Sequence, residues 1–403
     1  MIETRFKKTE VGEIPEEWVV KRIGEICDIN TGRCNTQDKI DDGKYPFFVR
    51  SQQIERINSF SYDCEAVLTA GDGVGTGKVF HYINGKFEVH QRVYVMYNFV
   101  NNIDGKFFYW YFSNNFYNRV HSMTAKSSVD SVRKEMIAEM ECSIPPLPEQ
   151  QRIATALSDI DALLSALTKK IEKKKLIKQG AMQQLLTGKK RLAGFTEPWE
   201  ERVVGETFKL IGNNTFSREQ LSNIGIVSNI HYGDVLIKFH SIIDLRKVVL
   251  PKIKIEHRLA ARNALSCGDI VMADTAEDNI VGKACEVYGM TSELVEAGLH
   301  TIVLRPLIQF APMFLGYYLN STSYHDKLMP HIQGIKVSSI SKAALLSTSI
   351  FVPTDIAEQS AIATLLSDMD KEIEALEAKR TKYTQVKQGM MQQLLTGKIR
   401  LVD

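Results

Sequence analysis

No stretch of about 18 apolar residues occurs in the 403-residue chain, and its opening Met1-Ile2-Glu3-Thr4-Arg5-Phe6-Lys7-Lys8 is charged where a secretory leader would be apolar. The expectation is a cytoplasmic protein with no membrane partner. Cysteine is scarce and scattered: Cys27, Cys34, Cys64, Cys142, Cys267 and Cys285 include no C-x-x-C pair. That argues against a zinc site or a disulfide frame and for reduced thiols. An excess of one charge is missing as well, with 50 Lys and Arg against 48 Asp and Glu. A polyanionic partner is neither demanded nor excluded by bulk charge, so any such claim must come from local features. At about 100 to 200 residues per domain, the length suggests two or three folded domains, and 44% hydrophobic residues suffice for packed cores.

Signatures of catalysis are also missing. There is no Asn- or Asp-Pro-Pro-aromatic tetrapeptide to hold a flipped base and no strand–turn glycine motif for a methyl donor; Ile144-Pro145-Pro146-Leu147 reads as a linker. The run Gly71-Asp72-Gly73-Val74-Gly75-Thr76-Gly77-Lys78 invites a phosphate-binding reading. A P-loop, however, needs Gly six residues before its Lys and Ser or Thr after it, where this chain has Asp72 and Val79. The run reads instead as a loop between strands facing a ligand, with a plain hairpin turn as the alternative. His81 and His90 could meet across a hairpin, with a turn at Asn84-Gly85, but no third residue has metal spacing. Asp159 with Asp161, repeated as Asp368 with Asp370, cannot share a helix face at i,i+2, which argues against acid–base work.

What is present is an internal repeat. Glu149–Leu192 aligns without a gap on Glu358–Leu401, with about 26 of 44 positions identical at a constant shift of 209 residues. A fainter echo precedes each copy, Trp18 with Val20-Lys21-Arg22-Ile23-Gly24-Glu25 and Trp199 with Glu201-Arg202-Val203-Val204-Gly205-Glu206. The chain is therefore two tandem halves, each a globular region followed by a helix. Ile153, Leu157, Ile160, Leu164, Leu167 and Ile171 alternate steps of four and three, as do Ile362, Leu366, Met369, Ile373 and Leu376. This is a coiled-coil seam, interrupted by Lys174 and Lys178 in one copy and by Arg380 and Lys387 in the other. Pro148 with Glu149 and an Asp355-x-x-Glu358 capping pattern mark the starts, Gly188 and Gly397 the stops. About 40 residues at 1.5 Å each give rods near 60 Å long, which need each other's apolar stripe and are expected to pair antiparallel.

The globular halves read as strands with turn punctuation: Ala66–Ala70, Val79–Tyr82 and Val93–Tyr97 in the first, with 268–274, 280–284 and 299–304 as counterparts in the second. Each half then shows an aromatic-rich helix, Phe107–Phe112 and Phe314–Leu319, and a closing strand ending at Pro145 or Pro353. Lys169-Lys170-Ile171-Glu172-Lys173-Lys174-Lys175 is a basic run, read as a solvated face or a DNA-backbone or partner contact. Repetition of Gln183, Gln184, Thr187 and Lys189 as Gln392, Gln393, Thr396 and Lys398, while seam residues diverge, suggests a surface that docks one partner twice.

The Pro146-Leu147-Pro148-Glu149-Gln150-Gln151-Arg152-Ile153-Ala154 start, its counterpart Glu358-Gln359-Ser360-Ala361-Ile362-Ala363 with Ala357 in place of proline, the two Gln-Leu-Leu-Thr-Gly-Lys ends and the proline–tryptophan approach to each half, Pro15-x-x-Trp18 and Pro198-Trp199, resemble the specificity subunits of Type I restriction–modification systems over the whole chain. The resemblance implies an α+β fold in which two pseudo-twofold-related globular target recognition domains are joined by two long helices forming an antiparallel coiled coil. Its segments would be 1–147 and 191–355 for recognition, and 148–190 and 356–403 for the helices. It further implies double-stranded DNA with a bipartite target, two methylation subunits docked on the helices, and restriction subunits in the full complex. This chain would carry no catalysis and no cofactor; S-adenosylmethionine, ATP and Mg2+ would sit on partner subunits. Side-chain type and loop placement suggest Arg50, Gln52, Gln53, Lys78, Gln91, Arg92 and Lys126 as DNA contacts in the first half, and Asn229, His231, Lys283, His300 and Lys336 in the second. Two other classes stay open on residues alone: an enzyme acting without partners, and a coiled-coil scaffold with no sequence preference.

Overall fold

The computed structural model describes residues 5–124, 131–257, 260–277, 280–290, 292–334 and 337–402. Two helices of 39 residues each, Leu147–Leu185 and Ile356–Leu394, form where the repeat sets its three- and four-residue apolar steps. Each stops at a glycine with φ +69, Gly188 or Gly397, a left-handed conformation that strains any residue with a Cβ. The chain divides into two compact units, Met1–Lys169 with Ala378–Asp403 and Lys170–Glu377. These units cut across the four segments expected from sequence: each combines one globular half with a stretch of both long helices.

In the first unit a six-stranded sheet runs in the order Asp28–Thr31, Val93–Tyr97, Tyr62–Ala70, Phe80–Val89, Tyr45–Phe48, Glu55–Ile57. Tyr45–Phe48 and Phe80–Val89 are parallel; the other pairs are antiparallel. Helix Gly105–Thr124 buries Phe107, Phe108, Phe112 and Phe116 in the core that holds Val67 and Met96 of the sheet. The expected turn at Asn84-Gly85 is not formed. Both residues lie within the strand Phe80–Val89, opposite Glu65 and Cys64, because the nine-residue partner Tyr62–Ala70 offers a ladder along their whole length. The chain reverses instead at His90–Arg92, where Val93 N–H donates to His90 O (2.9 Å).

The second unit has a five-stranded sheet, in the order Phe208–Ile211, Thr301–Pro306, Ile270–Ala273, Ala284–Tyr288, Ile242–Asp244. A four-stranded sheet accompanies it, in the order Leu221–Ser222, Lys252–Ile253, Val227–Ile230, Leu294–Ala297. Residues 280–283 and 299–300, expected as strand, are turns: Lys283 N–H donates back to Ile280 O (3.1 Å), and Gly282 sits at φ +87. Helix Phe314–Leu319 is buried along its length. In both units an early strand pairs antiparallel with the last one, Val19–Arg22 with Glu141–Ile144 and Trp199–Val203 with Ser349–Pro353.

Within each unit the helix segments run antiparallel and join the globular core. Ile153, Ala154 and Leu157 pack in one cluster with Trp18, Leu394 and Leu395; Ile362, Ala363 and Leu366 pack in another with Leu185, Leu186 and Phe314. Three of the four polar interruptions of the seam, Lys174, Lys178 and Lys387, are ion-pair stations. Lys387 bonds Asp161 and lies 4.5 Å from the centre of the Trp110 ring. Its repeat counterpart Lys178 lies 2.5 Å from Asp370 and 5.2 Å from the Tyr317 ring centre. One aspartate of each repeated pair thus holds the helices together.

The repeated Glu-Gln at each helix start is equally structural. Gln150 accepts from Asp104 N–H (2.9 Å) and donates to Asn102 O and Pro145 O (2.9 and 2.8 Å), while Gln359 accepts from Ala311 N–H and donates to Pro353 O (both 2.9 Å). Asp355 caps the second helix by accepting from Ala357 N–H (2.7 Å). Glu358 does not complete a capping box with it. Its buried carboxylate accepts instead from Arg191 and Trp199, as that of Glu149 accepts from Arg400 and Trp18.

Candidate nucleic-acid interface

Five segments of the first unit meet at one end of its sheet: residues 32–38, 49–54, 71–79, 90–92 and 131–133. Backbone bonds tie them together. His90 N–H donates to Phe48 O (3.0 Å), Gly71 N–H to Arg92 O (2.8 Å), Gln91 N–H to Cys34 O (2.9 Å) and Val132 N–H to Gly71 O (2.6 Å). Gly32 is required by this convergence, since a Cβ there would lie 1.8 Å from Val89 O.

The side chains that emerge are polar and basic. Arg50 and Arg92 flank Asp72, with Arg50 Nη1 2.7 Å from Oδ1 and Arg92 Nε 3.7 Å from Oδ2. Gln91 donates to Asn35 (2.5 Å), and Gln52 and Gln53 are exposed on the neighbouring loop. Lys78 lies at the far end of the Gly-rich loop with its ammonium 5.7 Å from the Tyr117 ring centre. His90 is buried; desolvation first and the nearby Arg50 next hold its pKa below the usual histidine value. The neutral ring accepts Arg92 N–H at Nδ1 (3.0 Å) and so fixes the turn that carries Arg92. His81 is turned to Ser51 O (3.0 Å), and among the described residues no group of three or more His, Cys, Asp or Glu could hold a metal. Lys126 lies outside the described residues.

The second unit repeats the backbone scheme with other side chains. Gly298 N–H donates to Ile230 O (2.8 Å), Asp274 N–H to His300 O (3.1 Å) and Ile340 N–H to Asp274 O (2.9 Å). The parallel pairs Phe48↔Val89 and Ile230↔Ala297 and the bridges Asp72↔Ser131 and Thr275↔Ser339 complete the correspondence. Position 50 therefore matches 232, and 92 matches 300. His300, at φ +56, is exposed 3.5 Å from Asp274, and its ring meets Tyr232 edge-on at 5.3 Å. His231 caps the short helix Tyr232–Ile237 by accepting Gly233 N–H (3.1 Å). Burial, and then Arg218, hold its pKa low.

Two of the sequence candidates point inward. Asn229 is fully buried and accepts from Asn214 (2.8 Å), which also donates to buried Glu296 (3.1 Å). Lys283 donates to Leu236 O (2.7 Å) at the end of the short helix, and burial lowers its pKa. Side-chain type alone does not reveal this, because Asn229 lies within a strand and Lys283 just before one, and the facing of both depends on register. Lys336 lies outside the described residues. Sequence reasoning missed Asp72, Asp274 and Tyr232; a signal for the first two was an acidic residue at the strand end, two places after Ala70 and one after Ala273.

At the helix ends, Gln183, Gln184, Lys189, Gln392 and Lys398 are exposed, and Gln393 is half-buried. Thr187 and Thr396 donate to the carbonyls of Gln183 (2.7 Å) and Gln392 (2.6 Å), four residues back. Repetition of Thr-Gly therefore has a local cause in the helix stop.

Compared with known proteins, residues 15–178 match the profile described as Type I restriction modification DNA specificity domain. The Type I restriction enzyme EcoDI specificity subunit of Escherichia coli is 30% identical over 176 residues, 44% of this chain and 38% of that protein, so the match spans well under half of that relative. The Type I restriction enzyme MjaVIII specificity subunit of Methanocaldococcus jannaschii is 25% identical over 427 residues, 99% of this chain and 97% of that one. Among solved structures, the Type-I restriction-modification system S subunit from M. genitalium shares the fold, with a TM-score of 0.63 at 15% identity over 98% of this chain and 99% of that one.

Proposed function

Since the chain belongs to the Type I restriction–modification DNA specificity family, we propose that its two globular halves each read one half of a bipartite double-stranded DNA site. One observation carries this reading: two matching sets of loop ends, tied by matching backbone bonds, present different side chains. A shared frame with divergent tips suits two readers of unlike half-sites, because base identity is read by side-chain edges in the major groove while the frame sets approach. Arg50, Gln52, Gln53, Gln91 and Arg92 form the first reading face, with Lys78 placed for phosphate contact. His300 and Tyr232 form the second, with His231 shaping the turn beneath it.

The chain is a recognition subunit and not an enzyme. In this proposal the long helices set the spacing of the half-sites and dock two methylation subunits, and through them restriction subunits, by way of the exposed Gln183, Gln184, Lys189, Gln392 and Lys398. S-adenosylmethionine, ATP and Mg2+ would belong to those partners, and the complex would act in the cytoplasm.

The test is native-DNA sequencing for modified adenine in a host that carries the partner methylation subunit, with and without this gene. Gene-dependent methylation at a split motif is expected. With assembly demonstrated, absence of such methylation sinks the proposal in favour of a scaffold without sequence preference.

A further inference from the structure

In the first unit two arginines share one carboxylate at the tip of the reading face. Arg92 lies beside Asp72 as an ion pair, its Nε 3.7 Å from Oδ2, beyond hydrogen-bond length, and the side chain is 63% exposed. Arg50 meets the other carboxylate oxygen through Nη1 and is 44% exposed. Asp72 is itself anchored: it follows Gly71, whose N–H and C=O are both tied to neighbouring segments, and it bridges to Ser131. A free arginine samples many rotamers, whereas one whose inner nitrogen is drawn to a fixed carboxylate is biased to turn its outer N–H pair outward.

The matching positions of the second unit strengthen the point. There Tyr232 and His300 also meet, and Asp274 lies beside His300, but neither side chain offers a guanidinium fork. The frame thus brings the same two positions together in both halves and fills them with different chemistry.

Resting on the proposed reading of DNA by these loops, we infer that positions 50 and 92, with their counterparts 232 and 300, are a specificity-determining pair. In the first half Asp72 is the positioning residue that aims Arg92, with Arg50 beside it, at guanine. Guanine offers O6 and N7 as paired acceptors in the major groove, and a two-pronged donor matches them. The half-site read by residues 5–147 therefore contains a guanine whose recognition depends on Asp72. The tyrosine–histidine pair reads its half-site by other contacts.

The experiment uses the full chain with its methylation partner in a host, and sequences native DNA from wild type, Arg92→Gln, Asp72→Asn and Asp72→Glu. Arg92 is exposed, so its substitution tests the contact without threatening the fold. The expected result is a loss of discrimination of about tenfold or more at one guanine of one half-site in Arg92→Gln. The same position should be relaxed in Asp72→Asn and restored in Asp72→Glu, with the other half-site unchanged. An unaltered motif in Arg92→Gln or Asp72→Asn overturns the inference, as does a change spread over both half-sites or a relaxed position that Asp72→Glu does not restore. A wild-type chain without any split motif would instead overturn the reading on which the inference rests.

Discussion

Arg400 and Glu149 stand 251 residues apart in the chain, yet the guanidinium grips both carboxylate oxygens, Nε to Oε1 at 2.7 Å and Nη2 to Oε2 at 2.8 Å. Glu149 is buried at the start of one long helix and Arg400 follows the end of the other. Trp18 donates to the same carboxylate (3.1 Å). In the second unit Arg191, Glu358 and Trp199 repeat the arrangement. The pair explains why Glu, Arg and Trp recur in the two halves without any reactive role.

Removing Glu149 takes the two-pronged partner from nearly buried Arg400 and leaves it only the exposed carboxylate of Glu17 (2.8 Å). Glu149→Ala is expected to destabilise the first unit by about 3–5 kcal/mol, measured by urea denaturation. A loss below about 1 kcal/mol would show that Glu17 and solvent suffice to compensate Arg400.

The repeat-related ion pairs Lys178–Asp370 and Lys387–Asp161 should differ in strength. Asp370 accepts from the Tyr317 hydroxyl (2.8 Å) as well as from Lys178, and its side chain is 25% exposed. Asp161 is 51% exposed and serves Lys387. Asp370→Ala should therefore cost more than Asp161→Ala, about 1–3 kcal/mol against at most about 1 kcal/mol. Equal midpoints for the two variants in a denaturant titration would contradict this.

Burial pushes the Glu286 carboxyl from about 4.5 up to about 7, although Met313 and Gly316 N–H groups (2.6 and 2.9 Å) pull the other way. Between these values the folded chain holds a proton that the unfolded chain has released. Its contribution is thus largest at low pH and declines as pH rises from about 4.5 to about 7, by about 3 kcal/mol in all. Glu286→Gln should flatten that part of the stability-versus-pH curve; an unchanged slope would assign it to other groups.

The helix-stop glycines provide a graded comparison. Both sit at φ +69, so Ala costs about 1–2 kcal/mol of backbone strain at either. At Gly188 the added Cβ would lie 3.4 Å from Trp199, an ordinary contact, whereas at Gly397 it would lie 2.5 Å from Pro15. Gly397→Ala should therefore lower the melting temperature more than Gly188→Ala.

If the helices measure the DNA spacer, lengthening both by one turn should lengthen the gap in the methylated motif and leave the half-sites alone. Exchanging residues 1–147 for those of another family member should alter one half-site only. Native-DNA sequencing reads both outcomes.

The amino-acid order by itself determined the two tandem halves, the long helices and their seam, since helix periodicity and the matching of repeat copies need no knowledge of distant contacts. It also marked the helix stops at Gly188 and Gly397. Only the tertiary structure decided what the repeated polar residues do, and which loop residues reach solvent. Glu149 and Glu358 turned from helix-start signals into buried anchors, Asn229 and Lys283 turned inward, and Asp72 came between Arg50 and Arg92. Each of these depends on strand register and on chain segments 20 to 250 residues apart meeting, and a local sequence pattern does not encode that meeting.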